Sequence, residues 1–404
     1  MRANSPHRRD FIQRLIRSGG SSMVLKTVFK TAILAGTALA TPSIVSAQDG
    51  SSWDRARSNL VAGQQGAMAP AIERWEYLIG QDGLPFATYA NFITTYEGFP
   101  QEDRLQRRAE AALDRDPVTP DQLVAFFDRN PPITNSAKAR YALALGTQNR
   151  AEAYDVARAA WRGGTMSGPS EAYIQGLYGT RFSAEDQDAR MDALLWQGDS
   201  EGAARQAVRV SPQSRALAMA RLSLLQGSMP DTSALSPNVA RSDPGYIYNL
   251  VRHYRTSRQM PQAIALLTSR PSFQQPAFDP EAMIGEMLSV ARGASPGQAA
   301  QIAASVDDLF APGFDVSTGS YRLRDDYTSL VWLGGTSALW DLGDGRRAAP
   351  LFYRYGAAAQ TPQTRSKGFY WAGLAAKRAG MMDEANRYYC LLYTSDAADE
   401  EDSV

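Results

Sequence analysis

Apolar residues recur at spacings of three and four over nearly the whole chain, and short breaks rich in Pro, Gly, Ser and Asp interrupt them. Between residues 51 and 113 the positions Trp75, Leu78, Phe86, Tyr89, Phe92, Ile93, Tyr96 and Leu105 follow this period, punctuated by Gly83-Leu84-Pro85 and Gly98-Phe99-Pro100. Such spacing predicts amphipathic helices of roughly ten to fifteen residues joined by tight turns. Residues 103–113 form a charged helix, Pro117 and Pro120 end that unit, and Thr119 or Asp121 is placed to cap the next. The alternation continues through 136–145, 151–161, 171–179, 188–196, 201–208 and 214–226, all rich in helix-favouring Ala. Residues 227–244 lose the period and read as a loop holding a half-turn of helix, the best internal hinge. A helical pair is expected at 245–268, helices at 281–291 and 296–310, and polar or proline-bounded breaks at 271–280 and 313–322. No segment sustains period-two alternation of β-branched residues, so no sheet is expected.

The stretch 327–389 carries the strongest internal signal. It reads as two consecutive helix-turn-helix units. In the second, Gly373 lies twelve residues before Ala385, and Tyr389 follows by four; Ala348 and Phe352 repeat the last pair 37 residues upstream. This resembles the small-residue and aromatic positions of a tetratricopeptide-type repeat. Small residues let antiparallel helices approach, and an aromatic one turn further on fills the remaining groove. A period of about 34 to 40 residues belongs to helical solenoids. The expected fold is all-α, a right-handed superhelical solenoid of antiparallel helix pairs, tetratricopeptide-like.

Composition narrows the function classes. The 404 residues are 44% hydrophobic, enough for a sizeable core. Beyond residue 47 there are 35 basic against 41 acidic residues, which gives no basic excess for nucleic acid. Lys138, Lys367 and Lys377 are the lysines of that region, so Arg carries the positive charge and suits forked pairing with carboxylates between helices. Residues 1–47 read as a leader, with Met23 as the expected true start: Lys26 and Lys30 precede an apolar run at 31–40, then Pro42 and the small-residue site Val45-Ser46-Ala47. The apolar run is too short to span a bilayer, so export to the periplasm without stable membrane insertion is expected. Arg8-Arg9-Asp10-Phe11 loosely resembles a twin-arginine signal but lies far from the apolar run.

Cys390 is the sole cysteine, which excludes a disulfide framework. It opens the tail CLLYTSDAADEEDSV, which departs from the preceding helical pattern; the run from Cys390 to Glu400 resembles translation through a sequencing adapter. Residues 390–404 are accordingly read as non-native, 48–389 as the helical domain, and the chain as cut short after Tyr389.

Candidate chemistry is sparse. His253 is the one histidine after the leader, too few for a zinc site, and reads as a half-exposed helix residue. The carboxylate pairs Glu102/Asp103, Glu185/Asp186, Asp325/Asp326 and Asp383/Glu384 are adjacent acids of the kind that favour helix N-termini, unlike acids held across a cleft. Gly163-Gly164 and Gly334-Gly335 lack nucleotide-loop spacing and read as turns or helix crossings. Trp53, Trp75, Trp161, Trp196, Trp332, Trp340 and Trp371 could stack on sugars but lie at apolar helical positions and read as core. No catalytic, cofactor-binding or metal residue is assigned.

The order of the segments resembles the N-terminal superhelical region of soluble lytic murein transglycosylases over most of residues 75–389. The resemblance rests on Phe92-Ile93-Thr94-Thr95-Tyr96, Leu105-Gln106-Arg107-Arg108-Ala109-Glu110, Pro131-Pro132-Ile133-Thr134, Ala159-Ala160-Trp161-Arg162, Ala189 to Trp196, Ala216 to Leu222 and Asp243 to Tyr248. Its most specific piece is Thr361-Pro362-Gln363-Thr364-Arg365-Ser366-Lys367-Gly368-Phe369-Tyr370-Trp371-Ala372-Gly373 with Tyr388-Tyr389. The resemblance implies a ring- or horseshoe-shaped superhelix, peptidoglycan glycan strands as partner, and a C-terminal lysozyme-like domain in cis. That domain's glutamate would cleave the β-1,4 bond between N-acetylmuramic acid and N-acetylglucosamine, leaving a 1,6-anhydro end. The family's Glu-Ser, Gly-Leu-Met-Gln and Ala-Tyr-Asn-Ala-Gly runs do not occur in this sequence, so the chain is expected to be an inactive scaffold fragment. The alternative is a periplasmic repeat adaptor for protein partners.

Overall fold

The computed structural model describes residues 68–401, and side chains as far as residue 392. The expected leader and Trp53 lie outside the described residues. Within them every regular element is helical. The first ten are α1 (Met68–Gly80), α2 (Phe86–Thr95), α3 (Glu102–Ala112), α4 (Pro120–Phe127), α5 (Asn135–Thr147), α6 (Ala153–Arg162), α7 (Gly168–Tyr178), α8 (Ala184–Gln197), α9 (Ser200–Gln206) and α10 (Pro212–Leu225). The rest are α11 (Pro237–Ser242), α12 (Pro244–Thr256), α13 (Met260–Ser269), α14 (Pro280–Ala291), α15 (Pro296–Ala304), α16 (Tyr321–Thr336), α17 (Gly345–Ala358), α18 (Pro362–Arg378) and α19 (Met382–Glu401). Helices pack mainly on their next and next-but-one neighbours in the chain, which makes the fold an all-α solenoid.

Local chemistry sets the helix starts. Pro120, Pro212, Pro237, Pro244, Pro280, Pro296 and Pro362 each occupy the first helical position, where a missing N–H leaves no bond unmade. Thr119 caps α4 by accepting from the Gln122 N–H at 3.3 Å, and Asp243 and Asp279 cap α12 and α14 in the same way. The prolines that interrupt the apolar pattern are thus largely the beginnings of the next helices.

Two of the last hairpins illustrate the packing. Gly345 opens α17 so close to the end of α18 that a Cβ there would lie 2.3 Å from the Ala375 carbonyl oxygen. At the opposite end of the pair, a Cβ on Gly368 would lie 2.4 Å from the Gly356 nitrogen. Start meets end and end meets start, so α17 and α18 are antiparallel and touch backbone to backbone. A Cβ on Gly373 would meet the Tyr389 ring at 2.5 Å, and one on Gly335 would meet the Phe352 ring at 2.9 Å. The small-residue and aromatic spacing therefore does what its sterics demand.

Arginines, buried at Arg190 and Arg221 and partly exposed at Arg255, tie helices together further up the chain. Arg190 lies over Trp161 at 3.9 Å, donates to the Gly164 carbonyl at 2.8 Å and pairs with Glu171 at 3.3 Å. Arg221 pairs with Asp192 and donates to Asn249 at 2.8 Å. Arg255 forks onto Glu286 at 2.5 and 2.8 Å. These are bidentate or stacked contacts that a Lys point charge does not reproduce.

Three expectations change. Residues 227–244 contain α11, a helix rather than a half-turn: Pro237 opens it, Ala240 is buried, and Arg241 donates to the Ser269 carbonyl at 2.6 Å. Helix α19 does not end at Tyr389 but continues to Glu401, because the tail contains no Pro or Gly to stop it and its Leu, Ala, Asp and Glu residues are compatible with helix. His253 is buried rather than half-exposed, on the inner face of α12.

Candidate functional site

Most residues weighed for chemistry are occupied structurally. Glu102/Asp103, Glu185/Asp186 and Asp383/Glu384 lie in first helical turns, as their sequence context implies. Asp325/Asp326 do not: they fall inside α16, where Asp326 pairs with Arg322 one turn back at 3.8 Å. Burial pushes the Asp186 carboxyl up, yet Arg162, the Ser183 N–H and Arg158 outweigh it and hold the group below the usual carboxylate range. Gly163-Gly164 form a turn, with Gly164 at φ +92°, and Gly334-Gly335 form a crossing. Trp161 and Trp196 are buried, Trp75, Trp332 and Trp371 partly so, while Trp340 is 49% exposed and packs edge-on to Trp371. Cys390 is exposed. Among the described residues no group of three His, Cys, Asp or Glu side chains is placed to hold a metal, and no helix is long and apolar enough to cross a membrane.

A hollow of about 820 Å³ lies between α2 and α4 and is lined by Ala87, Asn91, Thr94, Gln122, Phe126 and Arg129 among others. Asp128 at its rim accepts a hydrogen bond from the Tyr141 hydroxyl. That bond, aided by Arg150, holds the Asp128 carboxyl down, while burial and Asp128 push the Tyr141 phenol up to about 12. Both groups are fixed in their resting protonation states, which suits structure rather than proton transfer.

A second region is built from two loops, residues 270–279 between α13 and α14 and residues 305–320 between α15 and α16. Arg270 locks them together. Its buried guanidinium lies 3.9 Å over the Phe273 ring and forks onto Asp308 at 2.7 and 3.0 Å, while the Ala277 N–H donates to the Leu309 carbonyl at 2.9 Å. A ledge results. Phe310 and Phe314 stack with centroids 4.9 Å apart and planes 3° from parallel. Phe314 is 47% exposed, and so is Phe278 on the other loop.

Two hollows of about 530 and 400 Å³ share Phe310, Ala311 and Phe314 as a common wall. The first is edged by Asp307, Asp315, Tyr327 and Arg354; the second by Phe278, Asp279, Glu281 and Ser320. Asp307 accepts from the Tyr327 hydroxyl at 2.7 Å and pairs with Arg354 at 2.8 Å. Loops locked together in this way carry exposed aromatics between carboxylates, an arrangement that can bind a ligand. Phe278 and Phe314 were not legible as site residues, since both lie in segments that read only as breaks.

No family model matches the chain, and no curated protein matches it. Similar solved structures include the 70-kDa soluble lytic transglycosylase in complex with bulgecin A, 16% identical with a TM-score of 0.34. Another is the 70-kDa soluble lytic transglycosylase from Escherichia coli, 17% identical with a TM-score of 0.34. Each similarity covers 84% of this chain and 53% of the other, so this chain spans about half the length of the structures it matches.

Proposed function

We propose that this chain is the helical scaffold portion of a periplasmic peptidoglycan lytic transglycosylase, holding glycan strands for a lysozyme-like domain in cis that cuts them. The observation that carries this reading is the placement of its most family-specific stretch. Thr361 to Gly373 builds α18, and its Gly368 and Gly373 make the tight contacts to α17 and α19. The residues that carry the resemblance are the ones that the packing depends on.

The test is incubation of the purified chain with peptidoglycan sacculi, followed by sedimentation and analysis of soluble muropeptides. The chain is expected in the pellet, with no 1,6-anhydro product released. A chain that stays in solution contradicts the glycan role and favours a protein adaptor; released 1,6-anhydro product contradicts the scaffold role.

A further inference from the structure

The ledge between α13 and α16 is unlike the other exposed apolar positions of the molecule. Tyr173, Val208 and Tyr321 are more exposed than Phe314 but have no ring stacked behind them, and the rings behind the equally exposed Trp340 meet it edge-on rather than in parallel. Phe314 is backed by the parallel Phe310 ring, so one face is fixed against the protein and the other is turned outward. The loop beneath is held at both ends: Arg270 forks onto Asp308, and Gln360 donates to the Ser317 carbonyl at 2.9 Å. A rigid outward ring face presents a negative quadrupole to whatever lies on it.

The surroundings select the ligand. Around the two hollows stand Asp279, Glu281, Asp307, Asp308 and Asp315, against three cations already committed to carboxylates: Arg354 to Asp307, Arg270 to Asp308, and Arg322 to Glu281 at 3.6 Å. An anionic ligand is repelled by this rim. A purely apolar helix laid across it would strip water from carboxylates without replacing their hydrogen bonds. A chain of pyranose rings meets both demands. Its axial C–H face is weakly positive and apolar, matching the ring, while its hydroxyls are neutral donors, matching oxygens that only accept. The hollows lie on either side of one shared wall, so consecutive sugars can enter each.

We infer that this ledge is a glycan-holding site, with Phe314 stacking on a sugar ring and the flanking carboxylates accepting hydrogen bonds from its hydroxyls. The inference rests on the scaffold reading above and assigns it to a place on the molecule.

The experiment compares the full purified chain with its Phe314→Ala and Phe314→Trp variants, and with Tyr173→Ala as a distant exposed-aromatic control. Binding to sacculi is read by co-sedimentation, with a β-1,4-linked N-acetylglucosamine tetrasaccharide as soluble competitor, and thermal melting monitors the fold. The parent, Phe314→Trp and Tyr173→Ala are expected to pellet alike, and Phe314→Ala to lose about tenfold or more in affinity at an unchanged melting temperature, the loss of a single aromatic stacking contact. Tetrasaccharide should displace the parent and perturb the fluorescence of the Phe314→Trp variant relative to the parent. If Phe314→Ala pellets as well as the parent, the ledge is not the site although the scaffold reading survives. Should binding vanish at about 0.5 M salt, the rim is taking a basic segment and the glycan assignment falls. A parent that fails to pellet overturns the scaffold reading and this inference with it.

Discussion

The terminal hairpins, α16 to α19, and the loop ledge at residues 270–279 and 305–320 are held together by opposite means. In the hairpins two backbones touch through Gly345, Gly356 and Gly368, and rings of Phe352 and Tyr389 fill what the glycines leave open. On the ledge the chain is mostly irregular, and one buried guanidinium, Arg270, organises both loops by ring stacking, a carboxylate fork and a bond to the Ser305 carbonyl. Contact by shape is local and repeats with the helix period; contact by a long polar side chain joins residues 38 apart in the chain here, and Arg190 and Arg221 make such contacts elsewhere at other spacings. The first builds a stack, and the second fixes a surface at one point on it.

The comparison is broken most severely by adding volume where backbones touch. Gly368→Leu should destabilise the chain by about 4 kcal/mol in chemical denaturation, because the Gly356 backbone has no rotamer by which to yield. Gly176→Ala is the matching control: nothing lies within 4 Å of its added Cβ, and it should stabilise α7 by about 0.5 to 1 kcal/mol. Next comes Arg270→Ala, with an expected loss of about 3 kcal/mol, since it leaves Asp308 largely buried without its partner. Hydrogen exchange should show that loss concentrated at residues 270–279 and 305–320, with α17 to α19 spared.

A smaller effect sharpens the electrostatic side. Asp186 has a native carboxyl held below its ordinary value, so its contribution to stability is present above that value and is lost as pH falls through the depressed native one. The stability difference between the parent and Asp186→Asn should therefore shrink steadily on acidification below about pH 4. Smallest of all, Phe314→Ala should alter stability by less than about 1 kcal/mol, because half of the ring is already in water.

What the sequence made legible follows the same division. Helix positions, their proline starts and the Gly373–Tyr389 contact could be read because periodicity and small-residue spacing are local properties of the text. Even the Thr119 cap was visible as a side chain next to a proline. His253 was misjudged because burial depends on which face of α12 meets its neighbours, and that is set by elements distant in sequence. Asp325/Asp326 were misplaced because α16 starts earlier, at Tyr321, where Ser320 caps it by accepting from the Leu323 N–H at 3.0 Å. Phe278 and Phe314 stayed invisible because an aromatic in a break carries no period. Their exposure and stacking arise only once Arg270 and Asp308 have met.

The central claim is that this helical stack holds glycan and does not cut it. The most direct measurement is calorimetric titration of glycan strands, stripped of their peptides and with the lactyl carboxylates so exposed capped as methyl amides, into the purified chain. The account predicts saturable binding that persists at about 0.5 M salt and leaves strand length unchanged. No detectable binding, or strands shortened to 1,6-anhydro ends, would contradict it.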